Sequence, residues 1–358
     1  MRIERRRMER RTSHRWCRPK WAIVLGCCLL FLSPAPVVSE VPEVPVPEAR
    51  GADASQRHES TRLTRFRLPK QGDIVGEPKV VRAREGDTLL DIGRRYGLGY
   101  EEIRLANPEV DTWLPGEGTE VVLPTRFILP QAPRKGIVIN IAEMRLYYYP
   151  DEAGWVETFP ISIGRMDWAT PLGETKITMK LEDPAWYPPR SIREKAELRG
   201  ETMPFEIPPG PDNPLGRHAF LLDIRGYLLH GTNRPWGIGM RVTHGCIRLY
   251  PDDIAALYEK LEVGTPVKII DQPFKAGWSE DGILYIQAYP VAGEGADKSY
   301  RGRLRMAVEA VESALGELAH RIDRRQLRDA IESQQGELTR LSREGEGEAM
   351  VAEPRRDS

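Results

Sequence analysis

The chain has 358 residues, with 52 basic and 53 acidic side chains and a formal net charge of −1. At 40% hydrophobic and 29% charged it has the composition of two or three globular domains and not of a multi-span membrane protein, and no run of about 20 apolar residues suits a conventional spanning helix. Charge is uneven: residues 1–39 carry +7, which leaves −8 on the remainder and gives no reason to expect a nucleic-acid partner.

That leader holds a basic run from Arg2 to Lys20, twelve mostly apolar residues from Trp21 to Leu32, and then Ser33-Pro34-Ala35-Pro36. The order basic, apolar, small predicts an export signal and places the body in the periplasm. The apolar stretch retained as an anchor is one alternative. A lipoprotein box at Val24-Leu25-Gly26-Cys27 is another. Of the four cysteines, Cys17, Cys27 and Cys28 lie in the leader, so the mature body keeps Cys246 alone and no intramolecular disulfide. Residues 40–76, rich in Pro and Glu, read as an extended linker.

Residues 77–125 read as a small unit. Lys79-Val80-Val81-Arg82-Ala83 is strand-like, Gly86-Asp87-Thr88 starts a helix with Leu89, Ile92 and Tyr96 on one face, Tyr100 to Ala106 fits a second helix, and Glu120-Val121-Val122-Leu123 a closing strand. The unit resembles a LysM domain through Gly86-Asp87-Thr88-Leu89, Ile92, Leu105-Ala106-Asn107-Pro108 and Leu114-Pro115. The resemblance implies binding of N-acetylglucosamine-containing glycans such as peptidoglycan. A purely structural unit is the alternative.

Residues 134–271 are rich in strand patterns: 137–141, 144–149, 156–163, 219–229 as a strand or strand pair, and 267–270. Only Pro251 to Leu261 reads clearly as a helix, with Pro in its first turn, Asp252 and Asp253 at the positive end of the dipole, and Ile254, Leu257, Tyr258 and Leu261 on one face. A C-terminal extension, 272–298, adds a candidate strand. Residues 299–345 then read as a charged helical tail. Leu304, Val308, Val311, Leu315, Leu318 and Ile322 form a short heptad-like stripe, and the phase slips before Leu327. Two readings stand for the stripe, a protein partner or packing on the rest of the chain. The predicted fold class is α+β, mainly β.

Chemistry concentrates between His230 and Leu249. A loop of thirteen residues separates His230 from His244-Gly245-Cys246, within the run Thr243-His244-Gly245-Cys246-Ile247-Arg248, which allows both histidines to approach the thiol. A thiol needs a proton acceptor to become a nucleophile, and imidazole supplies one. Gly245 lets the backbone approach a substrate, and amides near Cys246 suit an oxyanion. Three alternatives compete: zinc on His230, His244 and Cys246, although His-x-Cys is not a usual zinc spacing; a core histidine at His230; and an inert buried Cys246.

The stretch resembles the signature of L,D-transpeptidases of the YkuD family, a histidine, a loop and then Ser/Thr-His-Gly-Cys. His230-Gly231-Thr232-Asn233, Gly237-Ile238-Gly239, Arg241-Val242, Ile247-Arg248-Leu249, Thr170-Pro171-Leu172-Gly173 and Asn213-Pro214-Leu215-Gly216 fit the ErfK/YbiS group of Gram-negative bacteria. The resemblance implies a β-rich sandwich with a cysteine site under a flap, and no cofactor or metal. By position it implies Cys246 as nucleophile and His230 as base, oriented by the Gly231 carbonyl. It also implies His244 and Gly245 around the oxyanion, and Thr243 and Arg248 against substrate. The implied reaction acylates Cys246 with a peptidoglycan tetrapeptide, releases D-Ala, and passes the acyl group to an amine, giving a 3–3 crosslink or attachment of an outer-membrane protein. Carbapenems, as strained acyl donors, should label such a thiol. Water as acceptor would make the site an L,D-carboxypeptidase, and a non-catalytic wall-binding scaffold is the remaining alternative.

Overall fold

A computed structural model describes residues 64–343 except 153, 166–168 and 294. The leader and residues 40–63 of the expected linker lie outside the described residues; the rest of that stretch is not a linker, because Arg65–Arg67 and Ile74–Gly76 are strands paired with 155–157 and 126–128. In chain order come β1 (Arg65–Arg67), β2 (Ile74–Gly76), β3 (Lys79–Arg82), α1 (Leu89–Tyr96), α2 (Tyr100–Ala106), β4 (Glu120–Leu123) and β5 (Arg126–Ile128). β3 and β4 pair antiparallel around the two helices. Thr88 caps α1, its hydroxyl accepting from the Asp91 amide while the Asp91 carboxylate accepts from the Thr88 amide, and Gly97 closes the helix at φ 70°.

Next come β6 (Gly136–Asn140), β7 (Arg145–Tyr149), β8 (Trp155–Pro160), β9 (Ile163–Gly164), β10 (Gly173–Glu182), α3 (Arg190–Leu198), β11 (His218–Leu222), β12 (Leu228–His230), β13 (Arg241–Thr243), β14 (Ile247–Arg248), α4 (Pro251–Lys260) and β15 (Pro266–Ile270). Nine strands form one sheet in the order β1-β8-β7-β6-β15-β10-β11-β12-β14. Helix α3 has no counterpart among the sequence-based expectations. It is mostly charged and buries only Ala196, so little apolar surface marks it in the sequence.

β6 and β7 are buried on both faces, and their side chains alternate between two cores. Ile137, Ile139 and Leu146 join Phe220, Leu229, Ile247, Ile254 and Leu257 in the main core. Val138, Tyr147 and Tyr149 join Leu89, Ile92, Ile103, Val121 and Leu123 in a second. The strand–helix–helix–strand unit therefore completes the far face of the sheet. A buried ion pair fixes it there: Arg145 Nε lies 2.6 Å from Glu102 Oε1, with the two side chains 1% and 5% exposed.

The C-terminal part departs from the expected helical tail. β16 (Phe274–Trp278), β17 (Leu284–Ala288), α5 (Tyr300–Leu315), α6 (Arg324–Ser333) and β18 (Leu338–Arg340) make one small layer in which the two helices pack on a three-stranded sheet. Gly316 ends α5, so Leu318 and Ile322 fall outside the helix that the heptad spacing predicted, and Leu318 is exposed. Ala307, Ala310 and Val311 of α5 pack with Ala276, Ile286 and Ile331. Of the two readings for the stripe, the structure has intramolecular packing. A second buried pair, Lys275 with Glu143 at 2.7 Å, ties this layer to the β6–β7 turn.

Candidate active site

β12 and β14 run parallel at one side of the large sheet, with Leu229 opposite Ile247 and His230 opposite Arg248. Leu229 and Ile247 point into the main core. By strand alternation His230 and Arg248 leave the sheet on its other face, and so does Cys246, two residues before Arg248. The pairing register thus puts three residues expected at the site on one face.

His230 is 3% exposed. Its Nδ1–H donates to the Gly231 carbonyl at 2.7 Å. A carbonyl only accepts, so the proton of the neutral ring sits on Nδ1 and the lone pair on Nε2. Burial, reinforced by the Arg248 cation, pushes the imidazole down to about 3, against the pull of the Gly231 and Leu215 carbonyls. At neutral pH the ring is an uncharged base.

Cys246 is half-buried. Its Sγ donates to the Gly226 carbonyl at 3.6 Å, at the tip of the β11–β12 hairpin. Burial pushes the thiol up, and the opposing effects of the Leu228 amide and the Arg248 cation do not cancel it. Their surroundings thus push both the thiol and the imidazole toward their neutral forms. Gly245 has φ 98°, and a Cβ there would lie 2.8 Å from the Tyr227 ring, so this position requires glycine both for backbone conformation and for space. His244 is half-buried beside it.

Thr243, expected against substrate, is placed otherwise. It is 1% exposed. Its hydroxyl donates to the Cys246 carbonyl at 2.5 Å, which closes the turn that presents the thiol. Arg248 is half-buried. Its Nε is buried with no hydrogen-bond partner, burial lowers its pKa, and the nearby Arg234 cation acts in the same direction.

Several supporting residues carried no assigned role in the sequence. Asn213 is fully buried, its Nδ2 bonds the carbonyls of Pro184, Ile207 and Pro208, and its Oδ1 accepts from the Leu215 amide. It pins the segment whose Leu215 carbonyl faces His230. The loop between His230 and Cys246 rests on the N-terminal unit: the first amides of α2, Tyr100 and Glu101, donate to the carbonyls of Ile238 and Gly239 at 3.0 and 3.3 Å. Gly239 has φ 85°, and a Cβ on it would sit 2.2 Å from the Tyr100 nitrogen. Local motif reading cannot show this contact, because 138 residues of chain separate its two sides.

Residues 134–269 match the YkuD family model, described as an L,D-transpeptidase catalytic domain. The chain is 42% identical over 236 residues to "Probable L,D-transpeptidase ErfK/SrfK" of Escherichia coli K12, covering 65% of this chain and 76% of that protein. It is 43% identical over 228 residues to "Probable L,D-transpeptidase YbiS" of the same organism, covering 63% and 74%. The solved catalytic domain of the E. faecium L,D-transpeptidase aligns over its whole length with 39% of this chain, at 22% identity and a TM-score of 0.31, so the family assignment rests on the sequence relatives. On that identity and coverage, the chain belongs to the YkuD family of L,D-transpeptidases.

Proposed function

We propose that Cys246 is the acylated nucleophile of an L,D-transpeptidase and His230 its base, acting on peptidoglycan stem peptides in the periplasm. The observation that carries this is the tautomer lock: a buried imidazole whose Nδ1–H is committed to the Gly231 carbonyl, which leaves the lone pair on Nε2, on the strand beside the one that begins after the only cysteine of residues 40–358. The substrate carbonyl follows the third stem residue, and the leaving group is D-Ala.

Nε2 takes the thiol proton as sulfur bonds to the carbonyl carbon. The carbonyl electron pair moves to oxygen and meets amides near Gly245 and Cys246, in the region shaped by His244. When the pair returns, the C–N bond breaks, and the proton on Nε2 passes to the departing amine of D-Ala. An acceptor amine then attacks the thioester, gives its proton to Nε2, and the sulfur leaves to be reprotonated. The product is a 3–3 crosslink or a link to an outer-membrane protein, as the amine dictates. Arg248, a half-buried cation with an unpartnered Nε, suits a substrate carboxylate. The 77–125 unit is read as a LysM module that holds the glycan strand, and the 1–39 leader as the export signal.

Purified protein given a disaccharide-tetrapeptide should release D-Ala and form tetrapeptide–tripeptide dimers, detected by mass spectrometry, and Cys246→Ala should do neither. D-Ala release with no dimer at any acceptor concentration would favour the L,D-carboxypeptidase reading. Release by Cys246→Ala would refute the assignment of the nucleophile.

A further inference from the structure

Thr170 lies 76 residues before the thiol, in the stretch 170–173. It is 4% exposed. Its hydroxyl accepts from the Gly164 amide of β9 at 3.1 Å and donates to the Gly245 carbonyl at 2.9 Å. The two bonds form a relay with one direction, because the donated proton fixes the hydroxyl's lone pairs toward Gly164, and such chains strengthen each member. β9 is itself held beside β13, with the Arg165 amide on the Thr243 carbonyl at 3.0 Å. The relay therefore starts from anchored backbone.

The Gly245 carbonyl belongs to the same peptide unit as the Cys246 amide. Among the described residues no peptide bond is cis, so in this planar unit the carbonyl and the N–H point in opposite directions. Fixing the carbonyl on Thr170 fixes the direction of the Cys246 N–H. Glycine at 245, with φ 98°, gives this peptide a freedom to rotate that another residue would restrict. The peptide on the other side of Cys246 is clamped by Thr243 through the Cys246 carbonyl. Two buried threonine hydroxyls thus hold the peptide planes before and after the nucleophile.

We propose that Thr170 is a positioning residue that aims the Cys246 amide at the oxyanion formed when the thiol is acylated. The proposal rests on the reading of Cys246 as the acylated nucleophile. Thr170 touches neither substrate nor sulfur. Its effect is confined to steps in which a carbonyl oxygen gains charge.

The discriminating experiment compares two reactions of the same thiol. Alkylation by iodoacetamide displaces iodide at a saturated carbon and makes no oxyanion, whereas acylation by a carbapenem does. Thr170→Val keeps the shape and removes the hydroxyl. It should slow carbapenem acylation by roughly ten- to a hundredfold, below the loss of a whole oxyanion donor, and leave alkylation within about twofold. Thr170→Ser should restore acylation, and on peptide substrate Thr170→Val should lower kcat with KM little changed. Acylation of Thr170→Val at the wild-type rate, or an equal fall in both reactions with no rescue by serine, would overturn the proposal. Labelling of Cys246→Ala by the carbapenem would instead overturn the reading of the nucleophile, so the two failures are distinguishable.

Discussion

Glu102→Ala should destabilise the protein by about 3–5 kcal/mol, the usual loss when one partner of a buried ion pair is removed. Arg145 would be left 1% exposed without the carboxylate that faces it at 2.6 Å. Its other bonds run to neutral oxygens, the Thr158 hydroxyl and the Gly97 carbonyl. Burial alone lowers the guanidinium's pKa, and the net rise is led by the charge and hydrogen bonding of Glu102, with Tyr147 and Glu143 acting in the same direction. The same carboxylate accepts from the Gly99 amide at 2.7 Å, at the start of the helix that supports residues 238 and 239. Thermal unfolding should shift down by roughly 10 °C. Replacing both partners by leucine should recover much of the loss, because no unpaired charge remains. A shift below about 2 °C for Glu102→Ala would mean that the N-terminal unit is not welded to the sheet as described.

His230→Ala should lower acylation of Cys246 by roughly 10²- to 10⁴-fold, the usual weight of a positioned base. The pH dependence carries more information than the size. In the wild type the imidazole is already uncharged above about pH 3, so the rate should change little between about pH 5 and 7. In the variant the thiol must ionise unaided, and burial raises its pKa, so the rate should climb about tenfold per pH unit through the same range. Stability changes in a linked way. The folded ring refuses a proton that the unfolded chain accepts below about pH 6.5, so the wild type loses stability as pH falls from there toward about 3. His230→Ala lacks that penalty, and its melting temperature should gain on the wild type over this window. Parallel rate profiles for the two proteins would contradict the role given to His230.

The site was legible in sequence to the extent that its chemistry lies on contiguous residues. His230, Gly231 and the 243–248 run are local, and a two-residue period places His230, Cys246 and Arg248 on one face once the strands pair. What could not be read were roles that depend on distant partners. Thr243 carries a hydroxyl that suits a substrate, yet burial and the Cys246 carbonyl claim it. Thr170 acquires its place only when β9 and the Gly245 turn meet. In the fold, strands with apolar runs were recoverable, as was the strand–helix–helix–strand order. Helix α3 was not, because it is a mostly charged surface helix with one buried residue and too few apolar side chains to mark a face. The C-terminal stripe left two readings open because spacing alone identifies an apolar face and not what covers it, and here β16 and β17 lie under it.

The central claim is that Cys246 carries the acyl group. Intact-mass measurement of the protein after exposure to a carbapenem tests it most directly, since the ring opens on the sulfur and the whole mass is retained. The account predicts one adduct per chain in the wild type, much slower formation in His230→Ala, and none in Cys246→Ala. An adduct that forms undiminished in Cys246→Ala would contradict it.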